Sequence, residues 1–232
     1  MKILAWNICQ GGGNHDAIAK ALVAHDADVL VLSEHQTDRS APFIRDLNAH
    51  GYAHFVASPT EGRRNGVALL SKQPLLHRPP PFGEIPFAWW GVEAVVGGMT
   101  IIGVYAALSN SWGSSPQIQR EFWNAVHAMA VERIGDPVVL IGDYNTCARG
   151  VDGPNSQPCW DAFDHLSTLG WVDAWRRSTA RPVTTRGCSA RSRRTPTGAS
   201  TMRSSHRHYG KGLSLVDTRT PNVRRVCRII RC

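Results

Sequence analysis

The sequence lacks any apolar run that approaches the roughly 18 residues needed to cross a membrane. Its first ten residues contain too short an apolar stretch for a secretory signal and lead directly into a predicted strand. The six cysteines form no CxxC pair or other metal-binding spacing. These absences argue against a membrane-spanning protein and a cysteine-based metal site. Ordinary reduced thiols are typical of the cytoplasm, which is the location we expect.

Basic charge is missing from most of the chain and concentrated at one end. Residues 181–232 contain thirteen Lys and Arg residues and a single acid, Asp217. Residues 1–180 contain thirteen basic and seventeen acidic residues, so a body of net charge −4 precedes a tail of net charge +12. The body therefore has no evident basic stripe for nucleic acid. With 232 residues, 42% of them hydrophobic, we expect one domain with a substantial core, in a monomer.

Carboxylates and carboxamides stand at the ends of three apolar runs. The runs predict buried β-strands at Lys2–Ile8, Ala27–Glu34 and Pro137–Asn145. Where these strands end, the chain carries Asn7, Glu34, Asp143 and Asn145. Ligand sites of α/β folds collect at strand ends. Hard oxygen ligands and amide donors together are what a Mg²⁺ ion and a phosphoester require.

Periodicity and turn signals predict the remaining elements. Helices are expected at His15–His25, at Pro42–His50, after Ser115 and Pro116, and at Trp160–Leu169. Strands are expected at Ala53–Ser58, Gly66–Lys72, Phe87–Val96, Met99–Ala106 and from Trp171 to Trp175, with Gly97 and Gly98 as a hairpin turn.

Six short motifs, in this order, resemble the endonuclease/exonuclease/phosphatase superfamily, which has the exonuclease III and DNase-I-like fold. They are Trp6-Asn7, Ser33-Glu34, Asn65–Lys72, Gly103–Tyr105, Gly142–Asn145 and Gly170–Trp175, and the resemblance runs from Met1 to about Arg176. It implies a four-layer α/β sandwich of two mixed sheets, incomplete in its C-terminal half. It also implies phosphoester hydrolysis that depends on Mg²⁺ or Mn²⁺.

The resemblance also implies a role for each matching residue. Glu34 would ligate the metal, and Asn7 would help to hold the metal and the phosphate. Asp143 would orient or deprotonate the attacking water. Asn145 would donate to a phosphate oxygen, and the Tyr105 hydroxyl would stand at the phosphate. The chemistry agrees, because an anionic phosphodiester repels nucleophiles until its charge is neutralised and water is positioned in line.

Two positions beside the site leave the substrate open. Cys9 stands where many nuclease members carry a second acid, which disfavours the DNA-repair branch. His35, next to Glu34, is expected to be a surface residue, with substrate contact as the alternative. A nucleic acid and a small-molecule or lipid phosphoester both remain candidate substrates.

The tail after about residue 180 departs from the family pattern. Its arginines outnumber lysines twelve to one, and its apolar clusters are confined to Leu213–Val216 and Val226–Ile230. The YTW, RIDH and SDH motifs of the family are absent from this sequence. However, when possible codons for residues 181–187, 199–205 and 225–231 are translated in a reading frame shifted two nucleotides forward, they can encode A-G-D-Y-T-W, I-D-H-A-F-V and V-S-D-H-S. We therefore predict a frameshift between about Arg176 and Arg181, a truncated domain at 1–180, a disordered or off-frame tail at 181–232, and impaired activity.

An alternative hypothesis assigns no catalysis to the chain. A non-catalytic protein could use the Arg-rich tail to bind nucleic acid electrostatically. Salt-dependent binding that survives Asp143→Ala and disappears when residues 181–232 are deleted would favour this alternative.

Overall fold

The computed structural model describes residues 1–107, 115–146, 159–174, 214–217 and 225–229. Eleven strands lie in these ranges: β1 (Lys2–Asn7), β2 (Val29–His35), β3 (His54–Ala57), β4 (Gly66–Ser71), β5 (Leu75–Arg78), β6 (Gly91–Val96), β7 (Met99–Tyr105), β8 (Val138–Asp143), β9 (Val172–Asp173), β10 (Ser214–Asp217) and β11 (Arg225–Ile229). The α-helices are α1 (His15–Ala24), α2 (Thr37–Ala49), α3 (Pro116–Glu132) and α4 (Trp160–Thr168), and Phe87–Trp90 forms a 3₁₀ turn.

The strands form two mixed sheets. Sheet A has the order β10-β1-β2-β4-β3, with β1 and β2 parallel. Sheet B has the order β5-β6-β7-β8-β11-β9, with β7 and β8 parallel. In each sheet a parallel pair of strands therefore ends at the same edge, where side chains from neighbouring strands can converge.

Alternate residues of the sheet A strands enter two different hydrophobic clusters. Ile3, Val31 and Leu69 belong to the cluster that also contains the strands of sheet B. Leu4 and Leu30 belong to a second cluster with residues of α1 and α2. Because successive side chains of a strand point to opposite faces, this division places sheet A between helices and sheet B. Helices α3 and α4 add their apolar faces to the first cluster, which confirms the predicted four-layer sandwich.

The sheets approach closely at Gly103 of β7. A Cβ atom there would lie 2.8 Å from Cγ1 of Val67 and 2.9 Å from Cγ1 of Val31, both in sheet A. Glycine therefore allows the central strand of one sheet to touch the other. The Ser33 hydroxyl crosses the same gap and donates to the Val104 carbonyl at 3.2 Å, a buried hydrogen bond between the sheets.

Several predicted boundaries differ from the structure. Helix α2 begins at Thr37, five residues before Pro42, and the Gln36 N–H donates to the Ser40 hydroxyl within its first turns. Residues 87–90, predicted as the first part of the strand Phe87–Val96, form the 3₁₀ turn instead, and Trp90 packs edge-on against Phe122. Strand β5 was not predicted, because it is an exposed edge strand without apolar alternation.

Two segments of the predicted tail pair with the sheets. Strand β10 runs antiparallel to β1, and β11 lies parallel to both β8 and β9. These strands fall largely on the two apolar clusters of the tail. Most of residues 181–232 lies outside the described ranges, and the domain boundary at about residue 180 stays a prediction. Of the helices described, none has both the length and the apolar character that crossing a membrane requires.

Candidate active site

The predicted site residues lie where the two sheets meet. Asn7 ends β1 opposite Ser33 of β2, so sheet A delivers Asn7 and the neighbouring Glu34 to one point. Tyr105 ends β7 directly opposite Asp143 at the end of β8, in sheet B. Residues far apart in the chain therefore gather at one edge of the sandwich, as the sequence predicts.

The carboxamide of Asn7 joins the two acids. Its Nδ2 donates to Oε1 of Glu34 at 2.9 Å and to Oδ2 of Asp143 at 2.6 Å. Its Oδ1 accepts from the Cys9 N–H at 2.9 Å, which fixes the orientation of the amide. One side chain thus holds a carboxylate from each sheet, and the two carboxylates share a single neighbourhood.

A β-bulge directs Glu34 into the site. In the pairing of β2 with β4, Ser33 lies opposite Val67 and His35 opposite Gly66, so Glu34 is passed over. Its φ is 60°, a left-handed conformation that non-glycine residues adopt rarely and that concentrates at functional sites. The Gln10 N–H donates to Oε2 of Glu34 at 2.8 Å. The carboxylate is consequently buried and fixed, with 1% of the residue exposed.

Asp143 is held by the turn that follows it. The Asn145 N–H donates to Oδ1 of Asp143 at 3.0 Å, and Asn145 itself adopts φ 45°. The Asn145 Nδ2 donates to the Ala106 carbonyl at 2.7 Å, which attaches this turn to the end of β7. Asp143 has no exposed surface (0%), so both oxygens are positioned within the protein.

Gly142, which precedes Asp143, allows the backbone of β8 to lie close against β7. Its φ is +152°, and a Cβ atom there would lie 2.0 Å from the carbonyl oxygen of Val104. No side chain fits between β8 and β7 at this position. The glycine of the Gly142–Asn145 motif is therefore required by strand packing, while the acid and amide that follow it face the site.

Replacing Gly142 with alanine is expected to destabilise the protein by about 3 kcal/mol, because the methyl group forces β7 and β8 apart and strains the backbone. Urea unfolding measures this loss. Gly135→Ala is the matched control, since Gly135 also has a positive φ, of 105°, but open space around its Cβ position. The control should lose only about 1 kcal/mol. Equal losses in both variants would contradict the packing argument.

Two residues that the sequence analysis did not select complete the site. Asn65 Nδ2 donates to the Tyr105 hydroxyl at 3.3 Å. Gln36 Nε2 donates to Oδ1 of Asn65 at 2.6 Å. Tyr105 is thereby tied to sheet A, although it is only 4% exposed. Asn65 opens one of the matching motifs, but nothing in its spacing distinguishes this amide from an ordinary turn residue.

His35 is part of the core and not a surface residue. It is 3% exposed, and its ring lies edge-on to Phe55 at 5.9 Å between centroids. Burial lowers its pKa to about 4, so the imidazole is neutral near pH 7. The difference arises because β2 lies between the helices and sheet B and is buried along its whole length, on both faces. Cys9 is exposed beside the site, with φ 57°.

The donor set fits a small, hard cation. Mg²⁺ is commonly bound through one or two carboxylates and keeps several water ligands. Glu34 and Asp143 offer two such carboxylates, both buried, where an ionised group needs compensation. Within the described ranges no three His, Cys, Asp or Glu side chains group around one point, so the protein would supply few of the ligands itself.

The sequence was compared with models of known protein families. The sequence model of the Endonuclease/Exonuclease/phosphatase family matches residues 4–208. The chain belongs to the endonuclease/exonuclease/phosphatase family. The match continues past Arg176, where the sequence motifs end, and includes part of the Arg-rich tail. The predicted resemblance is confirmed, and with it the general class of phosphoester hydrolases.

Solved structures similar to this family member share its fold. An AP endonuclease from Archaeoglobus fulgidus has a TM-score of 0.65 at 20% identity. A 3'-5' exonuclease from Neisseria meningitidis has a TM-score of 0.60 at 23% identity, and a 3' phosphatase from Neisseria bound to a product DNA hairpin has 0.62 at 22%. Each match covers 76% of this chain and 74% of the other. No curated protein matches the chain.

Proposed function

We propose that this member of the endonuclease/exonuclease/phosphatase family is built for phosphoester hydrolysis with Mg²⁺ or Mn²⁺. The observation that carries the proposal is the Asn7 amide, which holds Glu34 and Asp143 at one point between the sheets. Two buried carboxylates and several amides form a site for a hard cation and an anionic ester. We expect the protein to be a monomer and its substrate to be a phosphoester.

The residues divide into two groups by position. Glu34 and Asn7, from sheet A, would hold the cation, which when bound neutralises charge on the phosphoester. Asp143, fixed by hydrogen bonds that it accepts from Asn7 and Asn145, would orient an attacking water and accept its proton. Tyr105 and Asn145, from sheet B, would donate to phosphate oxygens. The role of each residue follows from its chemistry and from the family motif that it matches.

The present chain is expected to catalyse poorly, because it lacks the family's C-terminal Asp-His pair. No histidine of residues 181–232 stands in such a motif, whereas the frame two nucleotides forward can spell V-S-D-H-S. A frameshift between about Arg176 and Arg181 accounts for both facts and for the arginine-rich composition. Resequencing the gene tests it directly, since a stop codon before the I-D-H word in the shifted frame contradicts the frameshift.

Metal binding by the chain itself tests the proposed site without requiring turnover. Mn²⁺ binding, followed by the electron paramagnetic resonance signal of the free ion, should be saturable and displaced by Mg²⁺. Glu34→Gln should weaken it more than about tenfold, the lower end of what losing even an outer partner of a metal costs. Glu84→Gln changes the charge equally at an exposed position and should leave binding unchanged.

Hydrolysis of bis(p-nitrophenyl) phosphate then tests the reaction class. With the frame restored, the rate should require Mg²⁺ or Mn²⁺ and disappear with excess EDTA. Hydrolysis that proceeds equally in EDTA, or Mn²⁺ binding that is unaffected by Glu34→Gln, would overturn the proposal.

A further inference from the structure

An arginine is stacked on a tryptophan next to the candidate active site. The Arg64 guanidinium carbon lies 3.7 Å from the centroid of the Trp89 ring. This distance is well within the roughly 6 Å of a cation–π contact. Both residues are partly exposed, so the stacked pair reaches the surface, and we call it the Arg64–Trp89 platform.

The backbone of each partner of the platform is held by local contacts. Trp89 belongs to the 3₁₀ turn Phe87–Trp90 and packs against the main hydrophobic core. Arg64 lies in a turn in which its N–H donates to the Glu61 carbonyl at 3.1 Å. A guanidinium that stacks on a fixed indole loses little further freedom when it binds a ligand.

The chain neighbours of Arg64 and Trp89 place the platform next to the candidate active site. Arg64 immediately precedes Asn65, whose amide donates to the Tyr105 hydroxyl at 3.3 Å. On the other side, Gly91 pairs with Val104, so the chain just before Gly91 runs beside the end of β7. Trp89 is two residues before Gly91. Both members of the platform therefore stand at the rim of the site, on the side of Tyr105.

Arg64 forms no ion pair within the described residues. The ion pairs found there do not include Arg64, and its guanidinium contacts the indole ring. A guanidinium without a carboxylate partner keeps N–H donors for an anion. By contrast, Arg120 is paired with Asp161, and Arg133 is paired with Glu93.

We infer that the Arg64–Trp89 platform binds a nucleotide of a single-stranded nucleic acid next to the reacting phosphoester. Its base stacks on the guanidinium–indole pair, and its phosphate accepts N–H donors of Arg64. A flat aromatic surface with a cation suits a base and a phosphate, whereas the guanidinium repels a cationic lipid headgroup and a sugar phosphate has no π face to stack on it. That the nucleotide lies beside a reacting phosphoester rests on the proposed function. That its base stacks on the platform does not depend on the proposed function.

Binding of a fluorescent single-stranded oligodeoxythymidine to the full chain in EDTA tests the inference, with fluorescence anisotropy as the measure. Arg64→Ala should weaken binding roughly tenfold, within the range found when one stacked base loses its partner. Arg64→Lys keeps the charge but not the plane and should also weaken binding. Arg45→Ala is the control, because it removes the same charge from an exposed position on α2 and should change affinity less than twofold.

A second measurement separates the platform from the Arg-rich tail. Irradiation of a bromodeoxyuridine-containing oligonucleotide should crosslink it to the peptide that contains Trp89, and Arg64→Lys should reduce this crosslink. Crosslinks confined to residues 181–232, or equal losses of affinity in Arg64→Ala and Arg45→Ala, overturn the inference. Metal-dependent hydrolysis of the small diester is unaffected by either result, so failure of the platform and failure of the proposed function are distinguishable.

Discussion

Moving the reading frame two nucleotides forward after about Arg176, to the frame proposed as the original, is expected to raise kcat/KM for bis(p-nitrophenyl) phosphate roughly 10²- to 10⁴-fold. The restored sequence would supply the Asp-His pair that the present chain lacks, and a positioned acid–base group contributes about that factor. A histidine that donates to the phosphoester in the transition state adds electrostatic stabilisation. Steady-state hydrolysis by both proteins at equal metal concentration measures the difference.

The restored histidine provides the control for this experiment. Replacing it with alanine in the frame-restored protein should return the rate close to that of the present chain, while the rest of the restored segment is retained. A gain that survives this replacement would mean that better folding, and not the histidine, causes the increase. Equal rates of the present and restored proteins would contradict the predicted impairment.

Asp143→Ala is expected to reduce kcat of the frame-restored protein roughly 10²- to 10⁴-fold. Asp143 is completely buried, and hydrogen bonds from Asn7 and Asn145 fix both of its oxygens, so alanine removes a positioned proton acceptor. The measurement is steady-state hydrolysis of the same diester at saturating Mg²⁺, so that a change in cation affinity does not contribute and the loss appears in kcat.

Two comparisons separate catalysis from folding at this position. Asp136→Ala removes an acid whose side chain is 52% exposed and should leave the rate unchanged. Mn²⁺ binding should remain measurable in Asp143→Ala, because Glu34 and Asn7 are retained, whereas Glu34→Gln should lose both binding and turnover. A rate for Asp143→Ala above one tenth of the parent's would contradict the role proposed for this aspartate.

Much of the site could be predicted because it depends on strand ends. The apolar runs that end at Asn7, Glu34 and Asp143 form β1, β2 and β8, and parallel neighbours bring their ends together. Length and periodicity are strong signals for such buried strands. The convergence of these residues at one point was therefore accessible from sequence, while the catalytic role of each stays a prediction.

The details that sequence could not provide depend on tertiary contacts. The bulge that turns Glu34 inward and buries His35 requires the register of β2 against β4. Asn65 and Gln36 join the site only because their turns are adjacent in space. Strand β5 has no apolar periodicity and exists because β6 is there to pair with it. Local patterns carry no information about any of these neighbours.

The Asn7 bridge has a consequence for how strongly the two halves of the sandwich hold together. Glu34 belongs to one sheet and Asp143 to the other, and the hydrogen bonds of a single amide span the gap. A ligand that binds both acids acts as a brace between the halves, and its binding energy adds to the energy needed to separate them. A cation or substrate held at the candidate site would therefore raise the free energy of unfolding.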